Sequence, residues 1–172
     1  MEDQRLAESL AGKFLVLDGP DGTGKSTQLR MLSEWIAALG REVLAVRDPG
    51  GTAIGDRIRA ILLDPTCAEM APACETMLYM ASRAQLVAEL IRPALGAGKC
   101  VLSDRYISAT VAYQGAAGVR AEDVLAVGDV AVGGLWPDAT LLLDLPPEVG
   151  LARLTDAPDR MEAKDLSFHR RV

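Results

Sequence analysis

Four short apolar segments alternate along the chain with longer segments in which apolar and polar residues are mixed. The four are mostly apolar and do not alternate, and they are Phe14–Leu17, Val43–Val46, Cys100–Ser103 and Thr140–Leu145. Uninterrupted apolar strands are typical of parallel sheets that helices cover on both faces. The alternation of strand and helix therefore predicts an α/β fold, a three-layer α/β/α sandwich around a parallel sheet.

The segments between the strands show helical spacing. Residues Thr27 to Leu39 carry apolar side chains on one helical face. Pro93 interrupts a second helical run from Cys74 to Leu95, and we expect a kink or a break there. The first residues, 1–12, are charged and predict a short solvated arm, with residues 13–172 forming a single domain. Residues 124–132 are apolar enough for either core or interface.

Composition narrows the classes of partner and compartment. The chain has 172 residues, a net charge of −6 and no block of basic residues, which argues against nucleic acid or an anionic membrane as the main partner. No apolar run approaches the roughly 18 residues that a membrane span requires. Cys67, Cys74 and Cys100 lack metal-binding spacing and predict reduced thiols in a cytoplasmic protein. We expect the sole histidine, His169, to lie on the surface.

The strongest motif follows the first predicted strand and fits G-x-x-x-x-G-K-[S/T], the loop that wraps nucleotide phosphates in its own backbone N–H groups. Its residues are Gly19, Pro20, Asp21, Gly22, Thr23, Gly24, Lys25, Ser26 and Thr27. Strand, glycine loop and helix in this order bring the loop to a helix N-terminus, which favours phosphate. In such a loop Lys25 reaches the β- and γ-phosphates, and the hydroxyl of Ser26 binds Mg²⁺. The sequence therefore predicts a binding site for a nucleoside triphosphate, ATP in a kinase.

Charged residues follow the second and third strands, at the edge where ligands of parallel sheets bind. Arg47 follows the second strand, and Asp104 and Arg105 follow the third. Transfer of a phosphoryl group to an anionic acceptor brings like charges together, at about 4 kcal/mol for each pair of charges at ~4 Å and an effective dielectric constant of ~20. Converging arginines stabilise such a transfer, and an anionic phosphate oxygen needs no general base. Asp104 and Asp144 are alternative acidic residues for the metal site, and Asp104 is favoured because it adjoins Arg105.

Taken together, the motifs resemble those of the thymidylate kinases, the nucleoside monophosphate kinases of the P-loop kinase fold that convert dTMP to dTDP. The resemblance runs from about residue 13 to residue 172. It rests on Gly19–Thr27, Arg47–Thr52, Leu78–Arg83, Asp104–Tyr106, Ala112–Gly115 and Asp159–Glu162.

The resemblance implies a role for each matching residue. It places the dTMP phosphate on Arg47 and Arg105 and the 3′-hydroxyl group on Asp21. Tyr79, which on spacing alone fits core packing, would stack on thymine. The other implied contacts are a hydrogen bond from Arg83 to the base, Tyr113 under the deoxyribose, Gln114 in the same loop and Mg²⁺ on Asp104.

The resemblance also implies that an arginine comes from a mobile lid, residues 151–163, since position 22 is glycine where one branch of the family has arginine. Arg153 and Arg160 are the two candidates. Two positions depart from the family pattern, Asp48 in place of glutamate and Ala109 in place of serine, and Asp48 reads as a turn or supporting residue. Family members continue past the equivalent of residue 172 into a further strand and helix, so we expect that this part is missing from the chain.

The sequence thus predicts a dTMP kinase that uses Mg²⁺ and ATP, with homodimerisation implied by the resemblance alone. Another P-loop kinase acting on a different nucleotide or a deoxynucleoside is the nearest alternative. A non-catalytic nucleotide-binding protein is a third, which the presence of Lys25, Arg47, Asp104 and Arg105 disfavours.

Overall fold

The fold is a parallel sheet between two layers of helices. A computed structural model describes residues 2–155 and 157–172. Its strands are β1 (Phe14–Asp18), β2 (Val43–Arg47), β3 (Cys100–Asp104) and β4 (Ala139–Leu142). Its helices are α1 (Glu2–Ser9), α2 (Lys25–Ala38), α3 (Ala53–Leu63), α4 (Pro72–Leu86), α5 (Arg92–Gly96), α6 (Ile107–Ala116), α7 (Ala121–Val132), α8 (Pro147–Leu151) and α9 (Leu166–Arg171), with a 3₁₀ turn at Pro65–Cys67. None of the described helices is both long and apolar enough to cross a membrane.

All strand pairs are parallel, and the strand order is β2-β3-β1-β4. In the register, Asp104 lies opposite both Leu17 and Arg47. The carboxyl ends of β1, β2 and β3 therefore meet at one edge of the sheet. This confirms the predicted sandwich and the edge at which the charged residues were expected.

The two faces of the sheet bury different clusters. Phe14 and Val16 of β1 pack in the larger cluster with Val101, Ile107 and Leu86, among others, under α4 to α7. The alternate strand positions on the opposite face pack against α2, in a cluster of Ile36, Cys100 and Leu102. Because successive side chains of a strand point to opposite faces, each strand serves both helix layers.

The expectation that every strand is covered on both faces is wrong for β4. Its four residues are exposed, and 70% of Leu142 remains accessible. β4 pairs only with β1 among the described strands, so it forms an edge. The strand also ends sooner than predicted, at Leu142, where its partner β1 ends at Asp18. The last bond of this pairing is the N–H of Leu143 donating to the carbonyl oxygen of Asp18 at 2.8 Å.

The predicted break near Pro93 takes the form of a π-helical turn, Val87–Ile91, between α4 and α5. Proline has no N–H and its ring clashes with the carbonyl four residues earlier, so the preceding turn widens. Both ends of this turn remain buried, with Val87 and Ile91 in the main core. The helical run is therefore interrupted, but its side chains stay packed in the main core.

Two expectations about the chain ends need correction. The predicted arm forms helix α1, whose Ala7 is buried and accepts a hydrogen bond from Arg41. His169 is buried rather than on the surface, because α9 packs it edge-on against Phe168 with ring centroids 5.7 Å apart. Phe168 in turn belongs to a small cluster with Tyr113 and Met161, which fastens the last described helix to the domain.

Candidate active site

The glycine loop connects β1 to α2 and turns through left-handed backbone conformations. Gly24 precedes α2 with φ of 90°, and the helix begins at Lys25. At Gly22, φ is 71° and an added Cβ would lie 1.9 Å from the carbonyl oxygen of Gly150. Only glycine fits there, because the loop touches the backbone of α8 directly. This contact excludes an arginine side chain at position 22.

Lys25 is buried and bound to its own loop. Its Nζ donates to the carbonyl oxygens of Gly19 at 2.9 Å and Pro20 at 2.6 Å. Burial, and then the positive charge of Arg105, lower the pKa of Lys25 to about 8. The ammonium group is therefore already at the loop, where phosphate oxygens could replace the two carbonyl oxygens.

Ser26 and Asp104 bring a hydroxyl and a carboxylate together at the start of α2. The hydroxyl of Ser26 donates to Oδ2 of Asp104 at 3.0 Å, across the gap between the loop and the end of β3. Asp144, the alternative, is not among the residues lining the cavity. Hydroxyl and carboxylate oxygens are the ligands that Mg²⁺ prefers.

Arg105 lies at the centre of the polar network. Its φ of 72° is uncommon for a residue with a side chain. The backbone is held there by the N–H of Arg105, which donates to Leu17, and by Ser103, whose hydroxyl donates to the carbonyl oxygen of Arg105 at 2.7 Å. The guanidinium donates to Asp21 at 2.5 Å and to the carbonyl oxygen of Gly19 at 2.8 Å. This residue thus joins the end of β3 to the glycine loop.

Asp21 and Tyr113 complete that junction. Tyr113 donates its hydroxyl to Oδ2 of Asp21 at 2.7 Å, and the guanidinium carbon of Arg105 lies 5.1 Å from the centre of the Tyr113 ring. Burial alone would raise the pKa of Asp21, but Arg105, Tyr113 and Lys25 outweigh it and lower that pKa. Asp21 is therefore a carboxylate that faces the cavity between the loop and α6.

A single cavity of about 500 Å³ runs from the glycine loop to α4 and α6. Most of the predicted site residues line it, namely Asp21, Gly22, Gly24, Lys25, Ser26, Thr27, Arg47, Tyr79, Arg83, Asp104, Arg105, Tyr113, Gln114 and Arg153. Gly19, Pro20 and Thr23 belong to the loop but not to the wall. Arg47 reaches the cavity with 55% of its side chain exposed, 3.8 Å from Asp56.

The cavity wall opposite the glycine loop contains a buried ion pair between Arg83 and Asp48. Nε of Arg83 donates to Asp48 at 2.5 Å, and its Nη2 donates to the carbonyl oxygen of Tyr106 and to Thr110, both at 3.0 Å. Burial raises the pKa of Asp48 despite the charge of Arg83. Asp48 is thus a support for Arg83, in line with the supporting role expected for it. Tyr79 is half-buried one helical turn before Arg83.

The two lid arginines have different surroundings. Arg153 lines the cavity, and its Nη1 donates to the carbonyl oxygen of Gly22 at 3.3 Å. Arg160 is buried outside the cavity wall, where Nη2 lies 2.5 Å from Glu75 and Nε donates to Leu62 at 2.7 Å. A buried ion pair holds the guanidinium of Arg160 away from the cavity in this structure, so the catalytic role of Arg160 stays a prediction.

Sequence reasoning missed three charged residues of this region. Asp18, at the end of β1, accepts hydrogen bonds from Arg105 at 3.3 Å and from Ser108 at 2.6 Å. Arg59 of α3 lines the cavity and donates to Pro49. Glu75 could have been found from its spacing, since positions 75, 79 and 83 share one face of a helix.

The chain is similar to thymidylate kinases in each comparison with known proteins. A family model described as thymidylate kinase matches residues 17–172. The chain is 47% identical over 167 residues to the thymidylate kinase of Exiguobacterium sp., covering 95% of this chain and 78% of that relative. It is 48% identical over 164 residues to the thymidylate kinase of Deinococcus radiodurans, covering 94% and 79% of the two chains. The crystal structure of thymidylate kinase from Ehrlichia chaffeensis matches with a TM-score of 0.73 and 28% identity, over 83% of this chain and 78% of that one.

Proposed function

The chain belongs to the thymidylate kinase family and is a dTMP kinase, and from this premise we propose how the residues of its cavity divide the work of phosphoryl transfer. The reaction uses ATP as donor and dTMP as acceptor. We assign the donor and the acceptor to the two ends of one cavity. The glycine loop forms one end, and α4 and α6 form the other.

At the donor end, the N-terminus of α2 and the loop before it bind the phosphates of ATP. Lys25 exchanges the carbonyl oxygens of Gly19 and Pro20 for the β- and γ-phosphate oxygens, at the distance its Nζ already has from the loop. A charged partner strengthens each of these hydrogen bonds. Lys25 thereby positions the transferring group and stabilises its charge.

At the acceptor end, Arg47 and Arg105 hold the phosphate of dTMP. Arg105 already bridges β3 and the loop, so the acceptor phosphate would lie next to the donor phosphates. Asp21 and Tyr113, joined at 2.7 Å, would contact the 3′-hydroxyl and the face of the deoxyribose. The Tyr113 ring leaves little room for a 2′-hydroxyl. The attacking phosphate oxygen is already anionic, so the transfer needs no general base.

The base would lie between Tyr79 and the polar wall formed by Arg83 and Gln114. Arg83 is fixed by Asp48, which lets it meet a planar ligand without a change of rotamer. Ala109 lines the cavity at the position where the resemblance implied serine, so this wall has one hydroxyl fewer than expected. Stacking and planar hydrogen bonding together would select a pyrimidine.

Ser26 and Asp104 fit a magnesium ion, since they offer two hard oxygen ligands at the donor end. When bound, Mg²⁺ neutralises charge on the transferring phosphates. Magnesium sites for nucleotides commonly need only one or two protein ligands, because phosphates and water complete the coordination.

Arg153 is the arginine that would stabilise charge on the transferring group. It lines the cavity and its guanidinium reaches Gly22, the loop position at which no larger side chain fits. A site with glycine in the loop and an arginine above it needs no contribution from Arg160.

A homodimer is supported by apolar side chains on the outer faces of three helices. Exposed large residues are Ile54 and Ile61 on α3, Met77 on α4, and Leu125 and Val130 on α7. Residues 124–132, which the sequence allowed to be either core or interface, contain residues of both kinds. Val124 and Val132 are core residues, and Val130 is 84% exposed. A cytoplasmic location is consistent with three free cysteines.

The observation that carries the proposal is the Arg105 junction, which joins the loop, the end of β3 and α6 in one network. The test is an ADP-release assay with dTMP, dUMP, UMP, CMP, AMP, GMP and thymidine as acceptors. Turnover with dTMP above all others is expected. Tyr113→Ala should lower the preference for dTMP over UMP, and Tyr106→Phe, which changes a core tyrosine, serves as its control. A preference unchanged in Tyr113→Ala would contradict the sugar assignment.

A further inference from the structure

A second buried ion pair lies directly behind the acceptor wall, the end of the cavity formed by α4 and α6. Glu75 of α4 and Arg160 of the 157–163 segment are both at least 95% buried, with Nη2 of Arg160 2.5 Å from Oε2 of Glu75. The second carboxylate oxygen of Glu75 accepts a hydrogen bond from Nε2 of Gln114 at 2.6 Å. Gln114 lines the cavity. The pair therefore reaches the ligand through one intervening side chain.

The carboxylate determines which way the Gln114 amide faces. An ionised carboxylate only accepts hydrogen bonds, so the NH₂ group of Gln114 must face Glu75. The carbonyl oxygen Oε1 then faces away from Glu75, and no described residue donates a hydrogen bond to it. At the cavity wall this leaves a hydrogen-bond acceptor for a ligand.

Arg160 makes this arrangement possible in a buried site. A carboxylate away from water requires a compensating positive charge, and Arg160 supplies it. The guanidinium is itself held at the end of α3, where its Nε donates to the carbonyl oxygen of Leu62 at 2.7 Å. The backbone N–H of Arg160 donates to the carbonyl oxygen of Leu63 at 3.2 Å and fixes the main chain there. Glu75 also acts on the stacking residue, since burial and then the charge of Glu75 raise the pKa of Tyr79.

We propose that Glu75 and Arg160 are positioning residues that fix Gln114 with its amide oxygen toward the acceptor, so that the site selects a base whose ring nitrogen carries a hydrogen. Thymine presents an N–H at ring position 3, and cytosine presents an unprotonated nitrogen there. The inference rests on the proposed acceptor site. Neither residue touches the reacting atoms.

The test compares dTMP with dCMP as acceptor. In Glu75→Gln the new amide can face Gln114 with either its oxygen or its NH₂ group. The Gln114 amide is then free to rotate by about 180° and exchange the positions of its own oxygen and NH₂ group. We expect the ratio of kcat/KM for dTMP to that for dCMP to fall about tenfold. This is the size expected if dTMP loses one hydrogen bond to Gln114 and dCMP is freed from the repulsion between the Gln114 oxygen and its ring nitrogen. KM for ATP should stay unchanged, because the donor end is untouched.

A matched control is Asp138→Asn, the same change of carboxylate to amide at the other end of the sheet. Asp138 accepts from Lys13 Nζ at 2.7 Å and from the N–H of Phe14 at 2.8 Å, far from the cavity wall. This variant should lower the unfolding temperature without altering the dTMP-to-dCMP ratio. Arg160→Met gives a second route if Glu75→Gln does not fold. It removes the compensating charge, which favours a protonated Glu75 that can donate to the Gln114 oxygen, so it too should lower the ratio.

Two outcomes would overturn the inference. One is an unchanged ratio in folded Glu75→Gln or Arg160→Met, with dTMP and dCMP losing activity by equal factors, as a purely structural role predicts. The other is a lowered ratio in Asp138→Asn. Failure of the underlying acceptor site is recognised separately, because wild-type protein would then show no preference for dTMP over dCMP.

Discussion

The depressed pKa of Lys25 predicts that ATP binding takes up a proton at alkaline pH. In the free protein burial and Arg105 lower this pKa from its ordinary 10.5 to about 8. Bound phosphates supply negative charge at hydrogen-bond distance from Nζ, which favours the ammonium form and returns the pKa toward its ordinary value. Between pH 8 and 10.5, Lys25 is therefore mostly neutral in the free protein and has to gain a proton when ATP binds.

The magnitude follows from the two values. At pH 9 about one lysine in eleven is protonated in the free protein, against about ten in eleven at pH 7. The affinity for ATP should therefore be about tenfold weaker at pH 9 than at pH 7, or about 1.4 kcal/mol. The tyrosines of the cavity do not interfere, since burial raises the pKa of both Tyr79 and Tyr113.

Isothermal titration calorimetry without acceptor measures both quantities. Titrations in two buffers of different ionisation enthalpy should give an uptake of about 0.9 proton per ATP at pH 9 and about 0.1 at pH 7. Lys25→Arg keeps its charge across this range and should lose the pH dependence. Equal affinity of the wild type at both pH values, or the same weakening in Lys25→Arg, would refute the reasoning.

Four further outcomes are expected. Gly22→Ala should destabilise the protein by more than about 2 kcal/mol and weaken ATP binding, because its Cβ would meet the Gly150 backbone. The control Gly40→Ala has a similar φ of 79° but lies in open space, so it should cost about 1 kcal/mol in thermal unfolding and leave ATP binding intact. Arg153→Met should lower kcat about 100-fold or more in the ADP-release assay with little change in KM for dTMP; an unchanged kcat would remove Arg153 from the transfer step. Asp104→Asn should raise the Mg²⁺ concentration needed for half-maximal activity, and an unaltered magnesium titration would point away from Asp104 as a ligand. Val130→Glu should shift a dimer toward monomer in sedimentation analysis, while Val119→Glu, a charge change on the loop before α7, should not.

The sequence allowed the glycine loop and the strand ends to be predicted because their signals are local. The order strand, loop and helix is encoded within residues 14–39, and parallel strands bring Arg47 and Asp104 to one edge wherever the rest of the chain goes. Local patterns say nothing about which charges become buried partners. Arg160 and Arg153 look alike in sequence, and only the tertiary packing of residues 157–163 against α3 and α4 separates them.

The remaining misses have the same origin. His169 follows a charged segment and reads as exposed, and its burial depends on Phe168 meeting Tyr113 across 55 residues of chain. β4 has the composition of a covered strand, and its exposure depends on its place in the strand order. The φ of Arg105 could not be inferred from its neighbours, because it is held by hydrogen bonds to Leu17 and Ser103.

The exposed edge strand β4 also affects how this chain behaves at high concentration. Backbone groups beside Leu141 and Leu142 that no described strand pairs can form strand pairs with β2, the opposite edge strand, of another copy. Such pairing adds copies without limit, unlike a closed dimer through α3, α4 and α7, and would appear as light scattering that grows with concentration and time. Leu142→Lys, which places a charge on the edge, offers a simple way to keep preparations clear for calorimetry and crystallisation while leaving the cavity untouched.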